Sequence, residues 1–345
     1  MDTDVVDVVD VVDVVDVEVV AVPAATPPAV LDPAALERWL LTLHPLHRAS
    51  HAPATWRAYA SDLRLFTAWC QPRHACPLPA TPATVMDYLT DQGPILKLST
   101  LRRRLSAIRL AHHLAGLTSP TVHADVTQAW RGLARTYGPS QTPRRSGAII
   151  TSTLAQIVAP LGESTKDKRD RALLVVGFAG AFRRSELAEL DASDIQVLED
   201  GLRITVHKSK TDQEGKGRVV GLPYGSHRAT CPVRSWLAWR EAAKLDEDGP
   251  AFLSMRKGGS HVLTSRIPAD AIARVVKLRA AAVGLDPRTV SGHSLRAGFA
   301  TSAARAGVGD RDIMRQTGHR SPDSLTPYIR EGKLFEDNAA AKVGL

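Results

Sequence analysis

Cysteine is scarce in this chain. Three in 345 residues (Cys70, Cys76 and Cys231) cannot build a disulfide framework for a protein of this size, which points to a reducing compartment. Cys70, His74 and Cys76 fall close together, but a four-ligand zinc set needs a partner that no obvious pair supplies. No metal and no other cofactor is expected. No apolar run reaches the ~20 residues of a membrane-spanning helix, and no basic segment leads into an apolar one as in a secretory signal. The expectation is a cytoplasmic protein without membrane association. Positive charge is missing from the first 22 residues, which hold six Asp and one Glu but no Lys or Arg. Removing those seven negative charges from the formal net charge of +8 leaves +15 on the remaining 323 residues. So basic a body favours a polyanionic partner, nucleic acid above all.

What is present divides along the chain. Residues 2–18 repeat Asp-Val-Val with a period of three, which matches neither a strand nor a helix. Residues 1–28 are therefore expected to be a low-complexity, disordered lead-in. Residues 29–138 carry helical patterns at Leu31 to Leu43, Thr55 to Trp69, Thr84 to Leu89 and Thr121 to Tyr137. A further helix is expected after Ser99-Thr100 as its N-terminal cap. It sets Leu101, Leu105 and Ile108 on one stripe and Arg102, Ser106, Arg109 and His113 on the next. An apolar face beside an Arg/Ser/His face suits a helix packed on a bundle while its other side meets a DNA groove, although an ordinary surface helix has the same pattern.

Residues 139–147, with two prolines and the pair Arg144 and Arg145, read as a linker. The second domain, 148–345, is expected to open on a helix capped by Thr151 and Ser152. A second, apolar helix from Arg169 to Ala181 follows. Three short strands come next, at Asp194 to Leu198, Leu202 to Lys208 and Arg218 to Leu222. The remainder reads as helical. The expected fold class is mainly α with a small antiparallel sheet, in two domains.

Five pieces of chemistry recur in order: Arg183-Arg184-Ser185-Glu186, Lys210 near the end of the second strand, His293-x-x-Arg296, Gly318-His319, and Tyr328 nine residues later. Two arginines neutralise the non-bridging oxygens of a phosphodiester, imidazoles bind or move protons, a lysine protonates a leaving oxygen, and a phenol attacks. Each piece alone is weak; together they resemble the catalytic domain of the tyrosine recombinases, the phage integrase family. The resemblance covers roughly the last two hundred residues.

It implies a two-domain DNA clamp, with a helical core-binding domain joined by the linker to a catalytic domain. It implies a site-specific DNA recombinase or integrase that cuts and rejoins DNA through a 3′-phosphotyrosyl intermediate at Tyr328. Arg183 and Arg296 would hold the phosphate, with Glu186 orienting a cation. Lys210 would protonate the departing 5′ oxygen. His293 would assist the tyrosine, and His319 would hydrogen-bond the phosphate. Double-stranded DNA is the implied partner, contacted by Arg57, Arg102, Arg103, Arg109, Arg144 and Arg145. The implied assembly is a homotetramer on two DNA sites, with the tail beyond Tyr328 docking on a neighbouring subunit.

Two features depart from the family pattern. Thr317 stands where leucine often precedes Gly-His, which reads as a packing change. Pro327 beside Tyr328 either occupies the first turn of the tyrosine's helix, where it is harmless, or slows a needed rearrangement. Two rivals remain open: a type IB-like topoisomerase, which reseals the same strand, and a catalytically silent site-specific DNA-binding protein.

Overall fold

The computed structural model describes residues 52–141, 147–207, 217–259, 261–319, 321–334 and 343. The acidic lead-in, the helix expected over 31–43, Arg144, Arg145, Lys210 and most of the tail beyond 334 lie outside the described residues. The chain divides into two compact units, Met1–Pro143 and Arg144–Leu345. Among the described residues the first unit is helical, and the second is mainly helical with two small antiparallel sheets.

The first unit contains α1 (Pro53–Cys70), α2 (Pro82–Gln92), α3 (Leu98–Leu114) and α4 (Ala124–Tyr137). Helix α1 packs on α3 and α2 on α4, burying Phe66, Tyr88, Leu89, Leu101 and Ile108. Thr81 caps α2 by accepting the Thr84 N–H at 3.1 Å, with Pro82 pre-set for the first turn.

Helix α3 starts earlier than its Ser99-Thr100 signal implies. It begins at Leu98, whose N–H donates to Gln141 Oε1 at 2.7 Å, so a distant side chain does the work of a local cap. Leu101 and Ile108 of its apolar stripe are buried and Leu105 is half-buried, while Arg102, Ser106, Arg109 and His113 are exposed. Arg104 and His112 are buried with the apolar residues because each has polar partners inside. Arg104 donates to the Tyr88 hydroxyl and lies beside the buried carboxylate of Asp62, which Arg103 holds with two bonds of 2.6 and 3.0 Å. His112 Nδ1 bonds Ile108 O at 2.8 Å, and its Nε2 accepts the Ala80 N–H at 2.9 Å.

In the second unit, α5 (Thr151–Val158) leads to α6 (Thr165–Ala179) and the short α7 (Arg184–Glu189). Thr151 and Ser152 are not the cap of α5. Thr151 is its first residue, and the Thr151 N–H donates to Ser302 Oγ at 3.1 Å. Helix α6 buries Leu173, Leu174, Val175 and Val176 in succession because apolar clusters lie on both sides of it.

Strands β1 (Ile195–Leu198), β2 (Gly201–Val206) and β3 (Arg218–Pro223) form an antiparallel sheet in that order. Leu202, Ile204 and Val206 of β2 point inward, as a period of two requires. Helix α8 (Pro232–Ala243) packs on α6 through the central cluster, with Trp236 and Trp239 fully buried. A second antiparallel pair, β4 (Leu253–Met255) and β5 (Val262–Arg266), is an addition to the three strands expected.

Helix α9 (Ala269–Ala281) precedes α10 (Ser294–Arg305), α11 (Asp310–Thr317) and α12 (Pro322–Gly332). Helix α10 runs so close to the entry of α5 that a Cβ on Gly298 would lie 1.8 Å from the Ile149 carbonyl oxygen. The mutual packing of α10, α11 and α12 brings the start of α10, the end of α11 and the middle of α12 to one place.

Candidate active site

Arg183 immediately precedes α7, and Glu186 lies one turn inside it. One Glu186 oxygen takes Arg183 Nη1 at 2.5 Å; the other takes the Arg183 N–H at 3.0 Å and Arg218 Nη2 at 3.0 Å. Glu186 is buried. Burial alone would raise its pKa, but the Arg183 N–H and the charges of Arg218 and Arg183 hold the carboxyl below its ordinary value. The sequence reading of Glu186 as an orienting partner is realised in this geometry.

Arg218, at the start of β3, joins two parts of the site. Its Nη2 holds Glu186, and its Nη1 donates to Gln316 O near the end of α11. Arg296, in the first turn of α10, donates through Nη1 to Thr317 O and to Ala181 O, the latter at 2.9 Å. The last carbonyls of α11 thus receive two guanidinium groups, which both satisfies and electrostatically complements a helix C-terminus. Gly318 ends α11 at φ +65°, and a Cβ there would lie 3.2 Å from the Arg218 guanidinium. His319 follows directly.

Arg296 is 1% exposed. Among the described residues, its Nε and Nη2 find no hydrogen-bond partner, so the buried group has donors suited to an anionic acceptor. Burial, then the charge of Arg183, pushes its pKa down to about 10, despite the opposing effect of Glu186.

Tyr328 projects from α12 toward both imidazoles. Its hydroxyl lies 2.9 Å from His293 Nε2, and its ring is near-parallel to that of His319 at a centroid distance of 6.2 Å. Pro327 is the sixth residue of α12 and so lies beyond the first turn. It removes the N–H that would bond the Asp323 carbonyl. The helix continues past it, anchored by the fully buried Leu325, and keeps Tyr328 against His293. His293 is shifted down by burial and then by Arg296 and Arg183. Burial, followed by Arg296, Arg183, His293 and Arg218, pushes His319 down to about 4. Both shifts favour the neutral rings near pH 7, and as the Nδ1–H tautomer His293 accepts the hydroxyl proton at Nε2.

Thr317 does more than pack. Its Oγ1 bonds His319 Nδ1 at 2.7 Å and Ile313 O at 2.7 Å. The sequence reading of Thr317 as a packing change missed this hydroxyl pair, and Arg218 had been read only as a strand boundary.

The described residues thus bring Arg183, His293, Arg296, His319 and Tyr328 into one cluster. Lys210 lies outside them. In the first unit Arg57, Arg102 and Arg109 are exposed; Arg102 lies 5.3 Å over the Trp130 ring, and Arg103 is engaged by Asp62. Among the described residues, no group of three or more His, Cys, Asp or Glu is placed to hold a metal ion. No described helix is long and apolar enough to cross a membrane.

Residues 150–333 match the sequence profile of the phage integrase family. The chain belongs to the phage integrase family. It is 36% identical over 295 residues to the "Integrase/recombinase xerD homolog" of Selenomonas ruminantium, covering 84% of this chain and 85% of that protein. It is 26% identical over 298 residues to "Recombinase cre" of Escherichia phage P1, covering 82% of this chain and 85% of that protein. The fold is similar to the XerH site-specific recombinase solved with a palindromic difH substrate, with a TM-score of 0.62 at 15% identity over 90% of this chain and 83% of that one. This phage integrase family chain is a tyrosine-type site-specific recombinase, as its motifs implied.

Proposed function

We propose that the protein cuts and rejoins double-stranded DNA by transient attachment of a 3′ phosphate to Tyr328. One observation carries this reading: the Tyr328 hydroxyl lies 2.9 Å from His293 Nε2, in the same cluster as a buried arginine with unused donors. His293 Nε2 takes the phenolic proton as Oη attacks the phosphorus, and the bond to the 5′ oxygen breaks. Lys210 supplies a proton to that departing oxygen. Arg183 and Arg296 bind the non-bridging oxygens, where negative charge builds in the transition state. His319 adds a hydrogen bond to the same phosphate.

The phosphotyrosine retains the energy of the broken bond, and attack by a 5′ hydroxyl of a partner duplex reverses the reaction without a nucleotide cofactor. Exposed Arg57, Arg102 and Arg109, with Ser106 and His113 on the same helix as the latter two, support duplex contacts by the first unit. Arg103, Arg144 and Arg145 complete the proposed contact set. The reaction requires two cleaved duplexes, hence a homotetramer on paired sites, in the cytoplasm where the chromosome is accessible.

The test is a plasmid carrying two copies of the protein's own flanking locus. Formation of exchanged product by the parent and its loss in Tyr328→Phe support recombination. Relaxation of supercoils without exchange assigns the chemistry to a topoisomerase. Site-specific binding with neither assigns a silent DNA-binding protein.

A further inference from the structure

The contacts of Thr317 decide where His319 carries its proton. Thr317 is fully buried, and its Oγ1 lies 2.7 Å from Ile313 O, 3.4 Å from Met314 O and 2.7 Å from His319 Nδ1. A hydroxyl has one hydrogen, and a carbonyl oxygen can only accept. The hydrogen therefore points to the helix carbonyls, and Oγ1 accepts from Nδ1–H. The neutral ring is left with a lone pair on Nε2.

We propose that Thr317 is a positioning residue that fixes His319 as the Nδ1–H tautomer, so that seating a phosphate against this ring draws one proton from solvent onto Nε2. This rests on the function proposed above. A non-bridging phosphate oxygen is acceptor-only and makes no hydrogen bond to a bare Nε2. One proton from water converts the ring to imidazolium. Nδ1–H stays on Thr317, and the new Nε2–H donates to the phosphate.

The groups around the ring explain why the proton arrives only with the anion. Arg296 faces it from α10 and His293 from the residue before it, Arg183 from the residue before α7, Arg218 from β3 and Tyr328 from α12, while Glu186 holds Arg183 and Arg218. Burial first, and then the three guanidinium groups, disfavour a further cation, consistent with a pKa of about 4 for His319 in the DNA-free protein. A phosphate reverses that balance. The ring then responds to correct seating of the phosphate as well as helping to hold it.

The test starts with the DNA-free protein labelled with nitrogen-15 in histidine, with His319→Gln identifying the His319 signals. The parent is expected to show a protonated Nδ1 and an unprotonated Nε2. Thr317→Val, of the same size without the hydroxyl, is expected to shift the ring toward Nε2–H, and Thr317→Ser to restore Nδ1–H. In parallel, covalent adduct formation on a supercoiled plasmid carrying the flanking locus is followed from about pH 6 to 9, across the imidazole range. The parent rate is expected to fall with pH by one proton more than that of Thr317→Val. A parent ring protonated on Nε2, or a Val variant with the parent's tautomer and pH slope, overturns the inference. Absence of a Tyr328-dependent adduct at any pH would count against the catalytic reading instead, while the tautomer measurement still decides the role of Thr317. If Thr317→Val does not fold, the parent and Thr317→Ser spectra decide it.

Discussion

Replacing Arg218 with methionine removes a charge that joins Glu186 to the end of α11 while keeping an apolar stem near Phe182. Two contacts are lost: the 3.0 Å ion pair to Glu186 Oε2 and the bond to Gln316 O. The side chains are 18% and 1% exposed, so solvent screens the pair little. Removing one member of a buried ion pair costs about 3–5 kcal/mol. Glu186 keeps Arg183, and the guanidinium's own burial penalty and its repulsion from Arg183 disappear. The loss is therefore expected at or below the low end, about 2–3 kcal/mol, roughly two charge-assisted hydrogen bonds less the relief.

Urea unfolding at neutral pH, read by midpoint and slope, measures it. The pH dependence has a definite sign. Glu186 is held below its unfolded value, so its stabilisation is present above that value and lost as pH falls through the folded one. With Arg218 gone, burial is opposed less and the folded value rises, so the stabilisation is smaller and is lost over a narrower span of pH. Because the same guanidinium anchors the helix end that presents His319, adduct formation should fall by about 100-fold, as for a displacement of about 1 Å. A variant with the parent's urea midpoint and an adduct rate within about twofold refutes the reasoning.

Three further outcomes are expected. Gly298→Ala places a Cβ on the Ile149 carbonyl and should destabilise the second unit by about 1–3 kcal/mol or more, since rigid backbone is what must move; a parental melting temperature contradicts this. His112 is lowered by burial, opposed by the bond from Nδ1 to Ile108 O, while the Ala80 N–H donated to Nε2 favours the neutral ring, so the unfolded chain takes up its proton first. Stability should drop as pH falls below the ordinary histidine value by up to about 1.4 kcal/mol per pH unit. His112→Gln should remove that slope component, which urea midpoints near pH 7 and 5 will detect. Pro327→Ala restores an interior N–H and should protect the α12 amides after Pro327 more strongly from hydrogen exchange; unchanged exchange means that packing on α10 already determines the order of the helix.

The site was legible where its chemistry lies in short ordered motifs. Arg183, His293, Arg296, His319 and Tyr328 are spaced so that element ends deliver them to one place, and the structure groups them as that order implied. Arg218 was not legible because an arginine opening a strand resembles any surface cation; its burial depends on Glu186 and Gln316 arriving from elsewhere. Thr317 was visible as a departure from pattern, but the direction of its hydroxyl depends on the last turn of α11. The misplaced caps share a cause. Ser99 and Thr151 are sound local signals, overridden by Gln141 and Ser302 from distant segments. Strands β4 and β5 have no alternation of buried and exposed positions to read.

The most direct measurement is a covalent trap. The protein is incubated with supercoiled plasmid carrying its flanking locus, stopped with detergent and digested with protease and nuclease, and the DNA-linked peptide is sequenced by mass spectrometry. The account predicts a nucleotide attached through its 3′ phosphate to the peptide containing Tyr328, and no adduct from Tyr328→Phe. An adduct on another residue, or one that survives in Tyr328→Phe, contradicts it.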